Sequence, residues 1–177
     1  MRRYPINMEF TKVINERSSC KKYDGRKVDR EALTAILEAG RMAPTARNLQ
    51  EQRIYVVEKE ADLAKIDELT PCRYNAGTVL VVAYDKNNTF TYPGGKIDSG
   101  AEDATIVATH LMLAAKNAGV DSCWLNFFDP DLLAKALDLP GNEQVVMLLD
   151  LGYAAADCPD SPNFGVRKPL EETVTYL

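Results

Sequence analysis

One stretch, residues 101–118 (AEDATIVATHLMLAAKNA), constrains the fold more than any other. Val107, Leu111, Met112, Leu113, Ala114 and Ala115 place apolar groups nearly all round a helix of that length. Such a helix is buried, either in the centre of a core or in an interface between subunits. Asp98, Glu102 and Asp103 lie near its positive end, and Gly119 suits its C-terminal cap. The rest of the chain must cover it. With 177 residues, 46% of them hydrophobic and 27% charged, the sequence has the size and balance of one globular domain over residues 1–177, not of a disordered, collagenous or coiled-coil chain.

The covering elements can be read from periodicity and punctuation. A first helix is expected over 7–16, with Asn7 as N-cap and Phe10, Val13 and Ile14 at helical spacing. A second has Asp29 as cap, a stripe of Leu33, Ile36, Leu37 and Gly40, and Pro44 beyond its end. Arg53–Glu58 reads as a strand, 60–69 as a short helix, and Thr78–Tyr84 as a strand covered on both faces. Residues 91–100 form a turn-rich loop, and Ser122–Phe127 a short extended segment. Asp129-Pro130 starts a helix, Glu143–Gly152 is a last strand, and an extended arm follows Ala154. About four strands and five helices give an α+β or mixed α/β class.

The formal charge of −5 argues against a nonspecific nucleic-acid binder. The longest apolar run, Val79–Tyr84, is far short of the roughly 20 residues of a membrane span, and the N-terminal MRRYPINMEF has no signal-peptide core. Cys20, Cys72, Cys123 and Cys158 have no CxxC spacing, and His110 alone completes no zinc set. Free thiols and a cytoplasmic location are expected. Gly94-Gly95-Lys96 lacks the other residues of a phosphate-binding P-loop, and neither G-x-G-x-x-G nor G-x-S-x-G occurs where it would be informative. His110, inside the long helix, reads as a hydrogen-bonded core or interface residue.

Three segments carry candidate chemistry. Arg17-Ser18-Ser19-Cys20-Lys21 gathers two cations, two hydroxyls and loop N–H groups, the donors a phosphate dianion requires, although alone such a segment is more often plain polar surface. Ala43-Pro44-Thr45-Ala46-Arg47-Asn48-Leu49-Gln50 joins a rigid turn and small residues to two amides, which suits a flat heterocycle or simply ends a helix. Arg167-Lys168, on the terminal arm, are two more cations.

In this order the segments resemble the FMN-dependent nitroreductase family. Arg17–Lys21 matches its Arg-x-Ser-x-Arg/Lys stretch, Val28-Asp29 with Leu33 its second helix start, and Ala43-Pro44-Thr45 with Asn48 and Gln50 its Ala-Pro-Ser-x-x-Asn-x-Gln turn. Leu111–Ala115 with Gly119, Cys123-Trp124-Leu125, Leu151-Gly152-Tyr153 and Arg167–Glu172 complete a match over almost the whole chain. Glu51-Gln52 stand where relatives have Pro-Trp, Ser18 replaces a second arginine, Asn126-Phe127 replace an acidic-Gly pair, and the region between Val82 and Asp98 is short.

The resemblance implies a mainly antiparallel sheet of about four to five strands flanked by helices, in an intertwined homodimer with FMN at the interface. It implies that Arg17, Ser18, Ser19 and Lys21 hold the FMN phosphate with Arg167. Pro44, Thr45, Ala46, Asn48 and Gln50 would lie against the ring from the partner subunit, and Asn126 and Phe127 would face N5. It further implies ping-pong transfer of hydride from NAD(P)H to a small-molecule electron acceptor such as a nitroaromatic or quinone. Reductive dehalogenation, flavin fragmentation and non-catalytic flavin binding are the other readings. Water is the default proton source, with Tyr92 and Cys123 as side-chain candidates.

Overall fold

The computed structural model describes residues 9–177. Among these residues lie five helices, α1 (Phe10–Glu16), α2 (Arg30–Arg41), α3 (Glu60–Leu69), α4 (Gly100–Asn117) and α5 (Pro130–Ala136). Four strands, β1 (Gln52–Val57), β2 (Thr78–Asp85), β3 (Asp121–Leu125) and β4 (Glu143–Gly152), pair in the order β1-β2-β4-β3. Every pairing is antiparallel, so the class is α+β.

The apolar run in β2 follows from its position inside the sheet. Side chains alternate between faces along a strand. Leu80 and Val82 enter a core with Leu33 and Ile36 of α2 and Val107 and Leu111 of α4. Val79, Val81 and Ala83 enter a second core with Leu63 and Ile66 of α3 and Leu133 of α5. A register shift at Val82/Ala83 opposite β4 marks a bulge, so Val146 and Met147 both pack toward the first core.

Helix α4 buries Ala104, Val107, Ala108, Leu111 and Ala115 against α2 and the sheet. Helix α1 also packs on it, with Lys116 paired to Glu16 at 3.9 Å. Leu113 is half-buried and belongs to neither core. His110 Nδ1 donates to the Ile106 carbonyl at 2.9 Å, a local bond that assigns it no chemistry.

Side-chain caps start α1 and α5, whereas α2, α3 and α4 have none. Asp129 accepts from the N–H groups of Asp131 and Leu132 at 2.9 and 3.1 Å, with Pro130 in the first helical position. Asp29 occupies the N-cap position of α2 but caps nothing. Its Oδ2 instead accepts from the Tyr153 hydroxyl at 2.9 Å, a partner 124 residues away. Glu9 caps α1 through the Lys12 N–H, and the expected Asn7 cap lies outside the described residues. Among the described residues no helix is long and apolar enough to cross a membrane.

Candidate functional site

The loop after α1 runs along the outer edge of β3. Ser19 bridges Ser122 in parallel, and Cys20 N–H donates to the Ser122 carbonyl at 3.0 Å. This edge pairing holds Arg17 half-buried and leaves Ser18 and Lys21 exposed. Nearby cations are paired: Lys22 with Asp157, Arg26 with Asp24, Arg73 with Asp67. Among the described residues, no hydrogen bond or ion pair engages the side-chain cations of Arg17 and Lys21. Ser19 and Lys21 lie against Cys123, where they oppose the burial that pushes its thiol up to about 11. Arg167 is exposed on the arm, and its guanidinium donates to the Val166 carbonyl at 2.7 Å.

The turn after α2 is strained and braced. Arg47, Asn48 and Gln50 have φ of 54°, 58° and 54°, a region uncommon for residues with a side chain. The Asn48 N–H donates to the Thr45 carbonyl at 2.9 Å, and the Gln50 N–H to the Thr45 hydroxyl at 3.1 Å. Arg47 lies 5.5 Å over the Phe90 ring. Pro44, Asn48 and Gln50 are exposed, while Thr45 and Ala46 are half-buried.

Behind the turn sits a buried acid pair. Both Asp103 oxygens accept from the Ala46 N–H, at 3.0 and 2.9 Å. The Ser99 hydroxyl donates to Glu51 Oε1 at 2.8 Å. No N–H or hydroxyl donor reaches Glu51 Oε2, whose neighbour is the Asp103 carboxylate. Burial, then the neighbouring Asp103 carboxyl, raises the Glu51 carboxyl above the usual glutamate range. The pair escapes sequence reading because Glu51 follows a turn and resembles surface, while Asp103 resembles a helix-dipole residue. Asp150 is equally silent in sequence. It is fully buried on β4 with no partner for either carboxyl oxygen, and burial pushes its carboxyl well up.

The two segments do not meet in one chain. Ser122, beside Ser19, is level with Leu151 and Thr78, whereas Gln52, just after the turn, is level with Tyr84. The loop flanks β3 and the turn leads into β1, the opposite edge. Counting strand spacings across the sheet and residues along β2 separates them by about 25 Å. Asn126 and Phe127 share the loop's edge, just beyond β3. The Asn126 amide accepts from Trp124 Nε1–H and donates to the Val146 carbonyl at 2.8 Å, while the Phe127 ring is 72% exposed. Of the proton-donor candidates, Tyr92 donates its hydroxyl to Glu102 at 2.7 Å, a bond that pushes the phenol up to about 12.

The nitroreductase family model matches residues 14–72 and 70–153. An Archaeoglobus fulgidus protein provisionally named NADH dehydrogenase/NAD(P)H nitroreductase is 30% identical, over 82% of this chain and 85% of its own. A nitroreductase family protein of Clostridium difficile superposes with a TM-score of 0.88 at 33% identity, covering 96% of this chain and 98% of that one. A protein of Exiguobacterium sibiricum, described as a nitroreductase and solved in complex with FMN, shares the fold with a TM-score of 0.81 at 22% identity, covering 99% of this chain and 100% of that one.

Proposed function

The chain belongs to the nitroreductase family, and from that premise we propose that it is an FMN-dependent NAD(P)H oxidoreductase. It acts as a homodimer, a single domain per copy, passing hydride by ping-pong to a small acceptor such as a nitroaromatic or quinone. The observation that carries this reading is the pair of uncommitted cations, Arg17 and Lys21, with the Ser19 hydroxyl beside them on one sheet edge. A guanidinium, an ammonium and a hydroxyl are the donor set of a phosphate dianion. Arg167 joins them through the arm.

Two copies are needed because the cation loop and the 44–50 turn occupy opposed corners of one sheet. A ligand touching both lies between chains. The second copy also covers apolar surface that one chain leaves open. Leu113 packs into neither core, and the arm exposes Val166 and Leu170, 68% and 66% accessible.

When bound, FMN supplies a ring that accepts and returns two electrons at N5. The chain's share is to bind and orient. Arg17, Ser18, Ser19 and Lys21 anchor the phosphate. The braced turn presents Pro44, Thr45, Ala46, Asn48 and Gln50 as a flat wall for the ring of the neighbouring site. The Trp124–Asn126–Val146 hydrogen bonds fix the backbone at Asn126 and Phe127 on its other side. Tyr92 is spent on Glu102 and Cys123 holds its proton, so water remains the proton source.

The test is anaerobic. The purified protein carries a flavin whose visible band is lost on adding NADH or NADPH and returns with a quinone. A band that neither nucleotide bleaches leaves only a flavin-binding protein. Arg17→Ala weakens FMN binding by about 1.5–3 kcal/mol, the scale of a lost charged hydrogen bond, roughly 10- to 150-fold in Kd. Unchanged affinity removes Arg17 from the site.

A further inference from the structure

We propose that Cys20 and Cys158 form a reversible thiol–disulfide pair that ties the root of the C-terminal arm to the cation loop. Their sulfurs lie 3.7 Å apart although the residues are 138 positions apart in sequence. The approach is built by the surrounding chain. Tyr23 bridges Ala154, Asp24 N–H donates to the Tyr153 carbonyl at 3.0 Å, and Ala155 N–H donates to the Lys22 carbonyl at 3.0 Å. Lys22 pairs with Asp157, and Cys158 N–H closes a turn on the Ala155 carbonyl at 2.9 Å. This lacing holds the two thiols face to face without linking them. A disulfide requires the sulfurs to close to about 2 Å. The segment 156–158 is exposed or half-buried and can make that movement.

The two thiols have different tasks. Cys158 is half-buried at the surface, where an oxidant reaches it. Cys20 is buried, and burial pushes its thiol up to about 12, so it stays protonated in the resting protein. With hydrogen peroxide as oxidant, the Cys158 sulfur displaces one peroxide oxygen as water and becomes a sulfenic acid. The Cys20 sulfur then attacks that sulfur. The S–O bond breaks, the hydroxyl leaves as water with the Cys20 proton, and the S–S bond forms. Two thiols and one peroxide give one disulfide and two waters, and a dithiol reductant reverses the step by exchange.

The position gives the bond a consequence, which rests on the flavin reading above. Cys20 lies between Ser19 and Lys21, and Cys158 lies nine residues before Arg167. Oxidation therefore fixes the start of the arm against the loop whose cations bind phosphate, and FMN leaves the oxidised protein more slowly than the reduced one.

The test treats full-length holoprotein with hydrogen peroxide and maps its peptides without reduction. The expected product has a Cys20–Cys158 linkage and a mass lower by two hydrogens. Its Tm is higher by about 10 °C, because a very long loop is closed, and dithiothreitol reverses the change. Cys158→Ser abolishes the linkage and the Tm rise, whereas Cys72→Ser retains both. A map that pairs other cysteines, or over-oxidised Cys158 beside a free Cys20 thiol, overturns the proposal. FMN release is timed in both redox states. Equal rates with the linkage formed overturn the locking role. A linkage formed in a protein that binds no flavin leaves the thiol pair standing and defeats the flavin reading instead.

Discussion

Leu111→Ala is expected to lower the free energy of unfolding by about 3–5 kcal/mol, the upper range for a buried leucine. Leu111 is 1% exposed at the centre of α4. A Cβ on Gly40 of α2 would lie 2.5 Å from Leu111 Cδ2, so the two helices are already at closest approach there. The backbone of α2 cannot move in to fill the hole, and the cavity term is added to the lost transfer energy. Urea denaturation measures this as a lower midpoint with an unchanged slope. Leu113→Ala is the internal comparison. Leu113 packs into neither core, so its truncation is expected to cost the fold less than that of Leu111. A loss below about 1 kcal/mol at Leu111 would mean that α4 is not the core helix described.

Asp103→Ala is expected to cost about 3 kcal/mol and to disable the turn. It strips the Ala46 N–H of both acceptors and leaves the Glu51 carboxyl buried without its partner. With that brace gone, the positive-φ residues Arg47, Asn48 and Gln50 keep only the Thr45 contacts to hold them in a costly conformation. FMN affinity falls by at least about tenfold, while Asp103→Asn, which keeps an acceptor for Ala46, falls less. The sign with pH follows from Glu51. Its carboxyl is raised in the folded state, so its contribution is fully present below the ordinary glutamate value and is lost as pH rises through the raised one. Glu51→Gln removes that part of the dependence. Chemical denaturation at several pH values checks both variants. Equal losses for Asp103→Ala and Asp103→Asn would show that the Ala46 contact does not matter.

The elements that could be read from sequence are those whose cause is local. The apolar run of β2 reports a strand with a core on each face, and Asp129-Pro130 reports a helix start because cap and helix are adjacent. Asp29 has the same chemistry and fails as a cap because Tyr153, remote in sequence, takes its carboxylate. The acid pair of Glu51 and Asp103 and the thiol pair of Cys20 and Cys158 were illegible for the same reason, since each joins segments that only tertiary folding brings together. The cation loop was legible as chemistry. That it lies on the edge opposite the 44–50 turn was not, because strand order decides it. The order β1-β2-β4-β3 is what sets the loop and the turn at opposite edges of the sheet.

Comparison of FMN with riboflavin, which lacks only the phosphate, tests the central claim most directly. Titrated into flavin-free protein, FMN is expected to bind at least about 100-fold more tightly than riboflavin, as two or more charged hydrogen bonds to phosphate require. Arg17→Ala should narrow that gap. Equal affinity of the intact protein for the two flavins would contradict the account, since Arg17, Ser19 and Lys21 would then not be holding a phosphate.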